Sequence, residues 1–484
     1  MAFKLGFRLN RLYFLALLVS DFIVIAISIL LAVLIRFGSL NTTAVPVTAM
    51  MGTWIFFSLT ELLFMMVEDL YTVRTTVNRI MNIFRTTRLI IISSMLYVVA
   101  LFLIHFPSHI FLSSRISVLL FVGFWLIFSI LMRIIVIPNI FPLLLRMFRF
   151  GTISLVLFGP EEVTVTIRSL LLKSPVFRNI LKLRIHRSPL PDNPVERLKV
   201  CREIMEEDGS TEFIMVFEDE DFNFIAEFCL HTGNIGIPFS IYSERIPELG
   251  YFDPWISLGD YGALTFFARK WTNTTERLWR INDILLSIAG LILLTPVFIA
   301  IALTISLTSP GGVLFKQTRI GRNHKQFIFL KFRSMLIGAK SREESHKEYF
   351  REYVNGSAAE KTKSGKVFKK ISSDSVTTIG RIIRRTSLDE LPQIFNVLKG
   401  DMSIVGPRPC INYELEHYNS NWLKKRFTIK PGLTGIWQVY ARSRLGFKKS
   451  QFLDFVYVIS RSDGINIRLI LKTFPVMFLS RGGI

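Results

Sequence analysis

The chain has 484 residues, half of them hydrophobic, and its 58 Lys and Arg against 37 Asp and Glu leave a net charge of +21. Nucleic-acid-binding proteins are rarely half apolar, so the charge points to a membrane surface or a phosphorylated ligand, and the length to more than one domain. Three cysteines (Cys201, Cys229 and Cys410) are too few and too scattered for a disulfide framework or a zinc cluster, and the seven histidines show no metal-ligand spacing.

Four apolar stretches fill the N-terminal part, at 12–35, 49–67, 89–110 and 116–137. Each is near the ~20 residues that a bilayer requires. The first is too long for a signal peptide and lacks a small-residue cleavage site, so it is expected to be retained. Lys4, Arg8 and Arg11 precede the first stretch, Arg74, Arg79, Arg85 and Arg88 separate the second from the third, and Arg133, Arg146 and Arg149 are read as following the fourth. The loop 38–47 has no charge and the third connection only Arg115. The positive-inside bias then puts the N-terminus and everything beyond the fourth span in the cytoplasm, which predicts a four-helix transmembrane domain over 1–145. Glu61 falls inside the second span. An intramembrane carboxylate is a functional candidate, and a group satisfied within the bundle is the simpler reading.

From Thr152, β-rich runs at 153–158, 182–186, 212–217 and 238–242 alternate with helical ones, which predicts a doubly wound α/β domain over 150–265. Its first strand-to-helix turn, Phe158-Gly159-Pro160-Glu161-Glu162, keeps one glycine of G-x-G-x-x-G and sets two acids where a pyrophosphate would lie. A folded spacer or dimerising module is expected there rather than a dinucleotide site.

A fifth apolar stretch, 284–307, has Arg277 and Arg280 before it and Lys316, Arg319, Arg322 and Lys325 after it. A crossing would carry one basic flank outside. Thr295-Pro296 sits at its middle, where proline removes a helical hydrogen bond and clashes with the preceding turn. The sequence predicts a helix, a break and a second helix that enter and leave by the cytoplasmic leaflet at about 281–308, with the Thr295 and Ser287 hydroxyls as partners for the freed backbone. A kinked spanning helix is the alternative. The run 326–332 then alternates as a strand into Arg333, and the polar run 338–373 reads as a lid or a solvated loop.

The densest chemistry surrounds Asp389 and Glu390, close behind Arg381, Arg384 and Arg385. Two readings fit. Ser387 and Glu390 make a capping box, with the acids favouring a helix N-terminus and the arginines neutralising them. Alternatively, one carboxylate attacks phosphorus or holds Mg²⁺ while the arginines bind phosphate oxygens. Arg408, between Pro407 and Pro409, suits a bidentate phosphate clamp or a structural role in a rigid turn, and Lys331 and Arg333 stay open in the same way. Lys424, Lys425, Arg426, Lys430, Arg442 and Arg444, interleaved with Phe427, Trp437 and Tyr440, mark a membrane-surface segment. No recognised nucleic-acid module accompanies them.

Thr295-Pro296, Lys331-Phe-Arg-Ser-Met335, Ser387-Leu-Asp-Glu-Leu-Pro-Gln393, Gly400-Asp-Met-Ser-Ile-Val-Gly-Pro-Arg-Pro409 and Lys430-Pro-Gly-Leu-Thr-Gly-Ile-Trp-Gln438 together resemble the bacterial sugar transferase family, the monotopic phosphoglycosyl transferases, over about 271–484. With the four spans and the α/β segment, the whole chain resembles the large, polyprenyl-phosphate hexose-1-phosphate branch. The resemblance implies an α/β monotopic catalytic domain with a re-entrant helix on the cytoplasmic face of the bacterial inner membrane. It implies Asp389 as nucleophile beside Glu390, both as Mg²⁺ ligands, with Lys331, Arg333, Arg384, Arg385 and Arg408 as substrate-binding candidates. UDP-sugar and polyprenyl phosphate are the implied partners, a homodimer the implied assembly, and the first membrane step of exopolysaccharide, capsule or O-antigen synthesis the implied role. One departure stands out: the family often has Asp-Pro-Arg before the dyad, and this chain has Ser373-Asp374-Ser375. A non-catalytic membrane scaffold or regulator is the rival reading. A nucleotide-sugar oxidoreductase is disfavoured by the incomplete glycine pattern.

Overall fold

The computed structural model describes residues 3–38, 47–68, 70–104, 115–147, 152–210, 212–253, 256–258, 260–266, 272–335, 350–351, 354, 376–441 and 445–479. Ser373-Asp374-Ser375, most of the run 338–373, Arg149, Arg442 and Arg444 lie outside them.

The N-terminal part is helical: α1 (Phe3–Phe37), α2 (Val47–Val67), α3 (Arg79–Ile104) and α4 (Arg115–Leu131), which runs through a π-helical turn at Met132–Val136 into α5 (Ile137–Met147). The π turn has a local cause. Pro138 has no N–H to donate, and the Ile137 N–H reaches back to the Met132 carbonyl, a register one residue wider than the α-helix. Apolar side chains such as Val19, Leu59, Met95 and Leu119 face outward, whereas Ser20, Asp21, Ser28, Ser58, Ser117 and Ser129 are buried. This inversion of the soluble pattern is that of a membrane protein. Five helices are long and apolar enough to cross a bilayer, covering Leu9–Phe37, Met50–Val67, Arg79–Val99, Ile116–Met147 and Asn273–Thr308.

Two sequence expectations fail inside the bundle. Arg133 is not a flank following the fourth span. It is a buried residue that pairs with Asp21, donates to the Leu70 carbonyl at 3.3 Å and lies over the Tyr71 ring. Glu61 is buried too, yet neither carboxylate oxygen has a hydrogen-bond partner among the described residues, so it is not satisfied in the simple sense expected.

The α/β segment forms a five-stranded sheet in the order β2-β1-β3-β4-β5: β1 (Ile153–Phe158), β2 (Leu181–His186), β3 (Glu212–Phe217), β4 (Phe239–Ser243) and β5 (Gly262–Phe266). The first four pair in parallel and β5 joins β4 antiparallel, making the sheet mixed rather than wholly parallel. The helices α6 (Glu161–Leu172), α7 (Pro175–Ile180), α8 (Pro194–Asp208) and α9 (Phe222–Ile235) connect the parallel strands. Asn193 and Asp221 cap α8 and α9 by accepting from backbone N–H groups. Gly159 follows β1 at φ 137°, and a Cβ there would lie 2.6 Å from the Val216 Cβ, so this glycine serves the close approach of β1 to β3. Leu9, Tyr13 and Leu17 of α1 share a core with Leu155, Ile214 and Val216 of the sheet. Arg74, between α2 and α3, pairs with Asp253.

The C-terminal part opens on α10 (Asn273–Thr308), capped by Thr272. Helical geometry continues through Pro296, so the expected interruption at Thr295-Pro296 does not occur; the Thr295 hydroxyl donates to the Leu291 carbonyl at 2.6 Å beside the position the proline leaves unbonded. An antiparallel pair follows, β6 (Leu314–Ile320) and β7 (Gln326–Phe332), then α11 (Thr378–Arg385), α12 (Gln393–Lys399), a short parallel pair of β8 (Ser403–Val405) with β9 (Gly432–Thr434), and the helices α13 (Phe447–Ser460) and α14 (Asp463–Leu479). A Cβ on Gly432 would stand 2.0 Å from the Gly406 nitrogen, which explains why the Gly-Pro-Arg-Pro and Lys-Pro-Gly motifs carry glycine at this crossing.

Candidate active site

The site begins with the alternation of β7. Phe327 and Phe329 point into a small core with Val397 and Met402, and the two-residue period places Lys331 on the same face. Asn396 of α12 then stitches helix to strand: its side chain accepts from the Leu330 N–H at 3.1 Å and donates to the Ile328 carbonyl at 2.6 Å. The turn that feeds α12 is therefore held beside Lys331.

That turn carries the dyad. Ser387 adopts a left-handed conformation (φ 58°), makes no side-chain cap, and leads into a 3₁₀ turn at Leu388–Glu390. The capping box expected from Ser387 and Glu390 does not form, because an N-cap needs extended backbone for its hydroxyl to reach the N3 amide. Pro392 instead precedes the first residue of α12, Gln393. The two acids are released from helix-capping duty.

Lys331 bridges them. Its ammonium donates to Glu390 Oε1 at 2.5 Å and lies 3.6 Å from Asp389 Oδ2. Asp389 is buried, whereas the Glu390 side chain is 37% exposed and thus open to a ligand. Burial alone would raise the Glu390 carboxyl. Lys331 opposes it by charge and hydrogen bond, with Arg408 and Arg319 adding to it, and the net result lies below the usual carboxylate value.

The arginines gather unevenly. Arg408 lies over the Trp437 ring, and its carbonyl accepts from Arg426, which pairs with buried Asp454 at 3.1 Å. Arg319, buried under the Phe329 ring, donates to the Pro409 carbonyl at 2.9 Å. Burial, then the charge of Arg408, pushes it down to about 10, the mark of cations crowded without enough counter-charge. Arg384 is buried and Arg385 exposed in the last turn of α11, just before the dyad turn. Arg333 goes elsewhere: it donates to the Ser309 and Pro310 carbonyls at 2.8 Å and closes the C-terminal end of α10, and no described contact joins it to the dyad.

Arg319, Arg426, Asp454 and Asn396 were not singled out as site residues by sequence. Arg319 stood out only as a basic flank, and the Arg426–Asp454 pair links α13 to the Arg408 turn across a separation without local signal. The donor set can hold a small hard cation. Two adjacent carboxylates, one kept ionised, surround a point where an ammonium already sits, and Mg²⁺ accepts one or two carboxylates when phosphates supply the rest. Among the described residues no cluster of three or more acids, histidines or cysteines offers a self-sufficient metal cage.

Comparison with known proteins converges on this segment. Residues 274–480 match the family model described as bacterial sugar transferase. The exopolysaccharide production protein ExoY of Rhizobium meliloti is 36% identical over 204 residues, covering 41% of this chain and 85% of the relative. The galactosyl transferase CpsE of Streptococcus agalactiae is 37% identical over 224 residues, 46% of this chain and 47% of CpsE. The undecaprenyl-phosphate galactose phosphotransferase of Salmonella typhimurium is 38% identical over 205 residues, 42% of this chain and 41% of the relative. The matched region is thus most of ExoY but less than half of the two others.

Proposed function

The chain belongs to the bacterial sugar transferase family, and from that premise we propose that it transfers a sugar-1-phosphate from a UDP-sugar to polyprenyl phosphate. The observation that carries the proposal is Lys331 set between Asp389 and Glu390 on the open side of a site crowded by Arg319 and Arg408. The relatives' names supply the substrate class: one acts on undecaprenyl phosphate and galactose, another is named for UDP-glucose and undecaprenyl phosphate.

In the first step a carboxylate oxygen of Asp389 attacks the phosphorus that bears the sugar. The bond from that phosphorus to the bridging oxygen breaks, and UMP leaves with the electron pair. In the second step a phosphate oxygen of the polyprenyl phosphate attacks the same phosphorus and Asp389 departs, giving the polyprenyl-diphosphate sugar. Dividing one transfer into two displacements is the advantage of a carboxylate nucleophile. Arg408 and Arg319 neutralise the diphosphate, and Lys331 orients the dyad. Mg²⁺, held by Asp389 and Glu390, would supply charge neutralisation at the diphosphate.

The proposal includes a membrane geometry. α1 to α4 cross the bilayer with the α/β domain on the cytoplasmic side, a reading supported by the Arg74–Asp253 pair, which ties a basic inter-helix loop to that domain. α10 returns to the cytoplasmic face. Arg280 in its first half donates to the Val397 and Leu398 carbonyls, and Phe298 in its second half meets Phe395, with Ile301 and Ile305 in one core with Leu391. A straight crossing would put Arg280 and Ile305 roughly 37 Å apart at 1.5 Å per residue, whereas α12, which both halves face, is only about 10 Å long. The implied homodimer belongs to the same proposal and is read from the mass of the solubilised protein.

Membranes containing the full chain, given UDP-sugars and undecaprenyl phosphate, should release UMP, and Asp389→Ala should abolish that release. No UMP from any UDP-sugar would favour the scaffold reading. A reporter fused after residue 484 should lie in the cytoplasm; a periplasmic signal would overturn the returning helix.

A further inference from the structure

At the end of α12 away from the dyad, basic side chains converge on a second cavity of about 290 Å³. Arg277, Arg280, Arg322, Lys430 and Arg461 line it, against Glu276 and Asp283. Most of these charges are already engaged. Arg280 closes the C-terminus of α12 through two carbonyls, Arg461 lies 3.8 Å over the Trp279 ring, and Arg322 pairs with Glu276 at 3.0 Å. Asp283 accepts from the Ile404 N–H and the Ser403 hydroxyl.

Lys430 is different. It is half-buried, and no hydrogen bond or ion pair joins it to another described residue. Burial and the charges of Arg280 and Arg322 push its ammonium below the ordinary lysine value, as a cavity with surplus positive charge requires. Arg277 stands exposed at the rim. Along the helix stripe that starts at Arg277, the next positions are Ile281 and Leu285, both exposed and apolar at 51% and 60%. The cavity therefore opens onto the outward apolar face of α10, at the end where that helix leaves the polar domain.

We propose that this cavity binds the phosphate of an anionic phospholipid, with Lys430 and Arg277 as its contacts and the acyl chains lying along Ile281 and Leu285. A phosphate suits the compact ammonium and the guanidinium fork together. A lipid source fits because cation and apolar stripe adjoin on one helix. Such a lipid would anchor α10 at the interface without touching the dyad.

The test is thermal unfolding of the full chain, delipidated in neutral detergent, with phosphatidylglycerol, diacylglycerol or inorganic phosphate added. A ligand that binds only the folded state raises the midpoint. Phosphatidylglycerol should raise it by several degrees and diacylglycerol should not. The double variant Arg277→Ala/Lys430→Gln should lose most of that shift while keeping its lipid-free midpoint. Arg277→Ala alone, an exposed position, should lose part of it and guards against misfolding of the double variant. Equal shifts in wild type and variants, or no shift with phosphatidylglycerol, would overturn the site; a full shift with inorganic phosphate alone would overturn its assignment to lipid. The measurement reads binding without turnover, so its failure leaves the proposed transfer reaction untouched.

Discussion

The bundle and the C-terminal region each set two carboxylates about one cation, and the surroundings of the two clusters differ. In the bundle, Asp21 and Arg133 have side chains only 1% exposed, and Glu61 is shut in beside them. The arginine spends its donors on Asp21 and a carbonyl. In the C-terminal region Lys331 and Glu390 are reachable from solvent, and two further cations, Arg319 and Arg408, act on Glu390. A closed cluster with its charges matched in place holds helices together; an open one with surplus cations awaits an anion. Carboxylates alone therefore do not mark a catalytic site in this protein, whereas access and unmatched charge do.

Four substitutions sharpen or break that comparison. Asp389→Ala should reduce UMP release by about 10³-fold or more while leaving the unfolding midpoint near wild type, as for loss of a nucleophile. Arg133→Ala should do the opposite. It strands Asp21 inside the bundle, at a cost of about 3–5 kcal/mol in detergent unfolding, with activity per folded molecule retained; a large activity loss in well-folded Arg133→Ala would erase the distinction. Lys331→Met should lower turnover about 10–100-fold and alter its pH profile. Glu390 is held below its usual value chiefly by Lys331 against burial, so the wild-type carboxylate stays ionised, and its contribution to folding persists, until pH falls below the ordinary range. Without the lysine, burial is opposed only by the arginines, the folded value rises, and the acid limb of the rate profile should move to higher pH. An unchanged limb would remove Lys331 from the dyad. Gly159→Ala should be the smallest effect: about 1–3 kcal/mol of stability from positive φ and contact with Val216, and no change in turnover.

Much of this was legible in residues whose role is local. The parallel strands of the α/β segment announce themselves by β-rich runs between helical ones, and Asn193 and Asp221 cap where such residues should. β5 escaped because Gly262-Ala-Leu-Thr-Phe266 is short and opens on weak strand formers. The pairing of Asp389 with Glu390 was visible, but their 3₁₀ turn was not, since Ser387 reads as a helix cap unless its left-handed backbone is known. Arg133 misled because a cation at the end of an apolar run reads as a flank, and only its contact with Asp21, 112 residues away, makes it interior. Arg333 and Arg408 look alike in sequence. The fold turns one toward the end of α10 and leaves the other, propped by Arg426 and Trp437, near the dyad.

The claim that Asp389 forms a covalent phosphosugar is tested most directly by mixing the full chain with UDP-sugar and Mg²⁺ without polyprenyl phosphate, quenching in acid and reading peptide masses. The account requires UMP in an amount close to the enzyme present and a sugar-phosphate mass on the peptide containing Asp389, discharged when polyprenyl phosphate is added before the quench. UMP formed only when polyprenyl phosphate is present, with no adduct on that peptide, would contradict it and favour direct transfer between the two substrates.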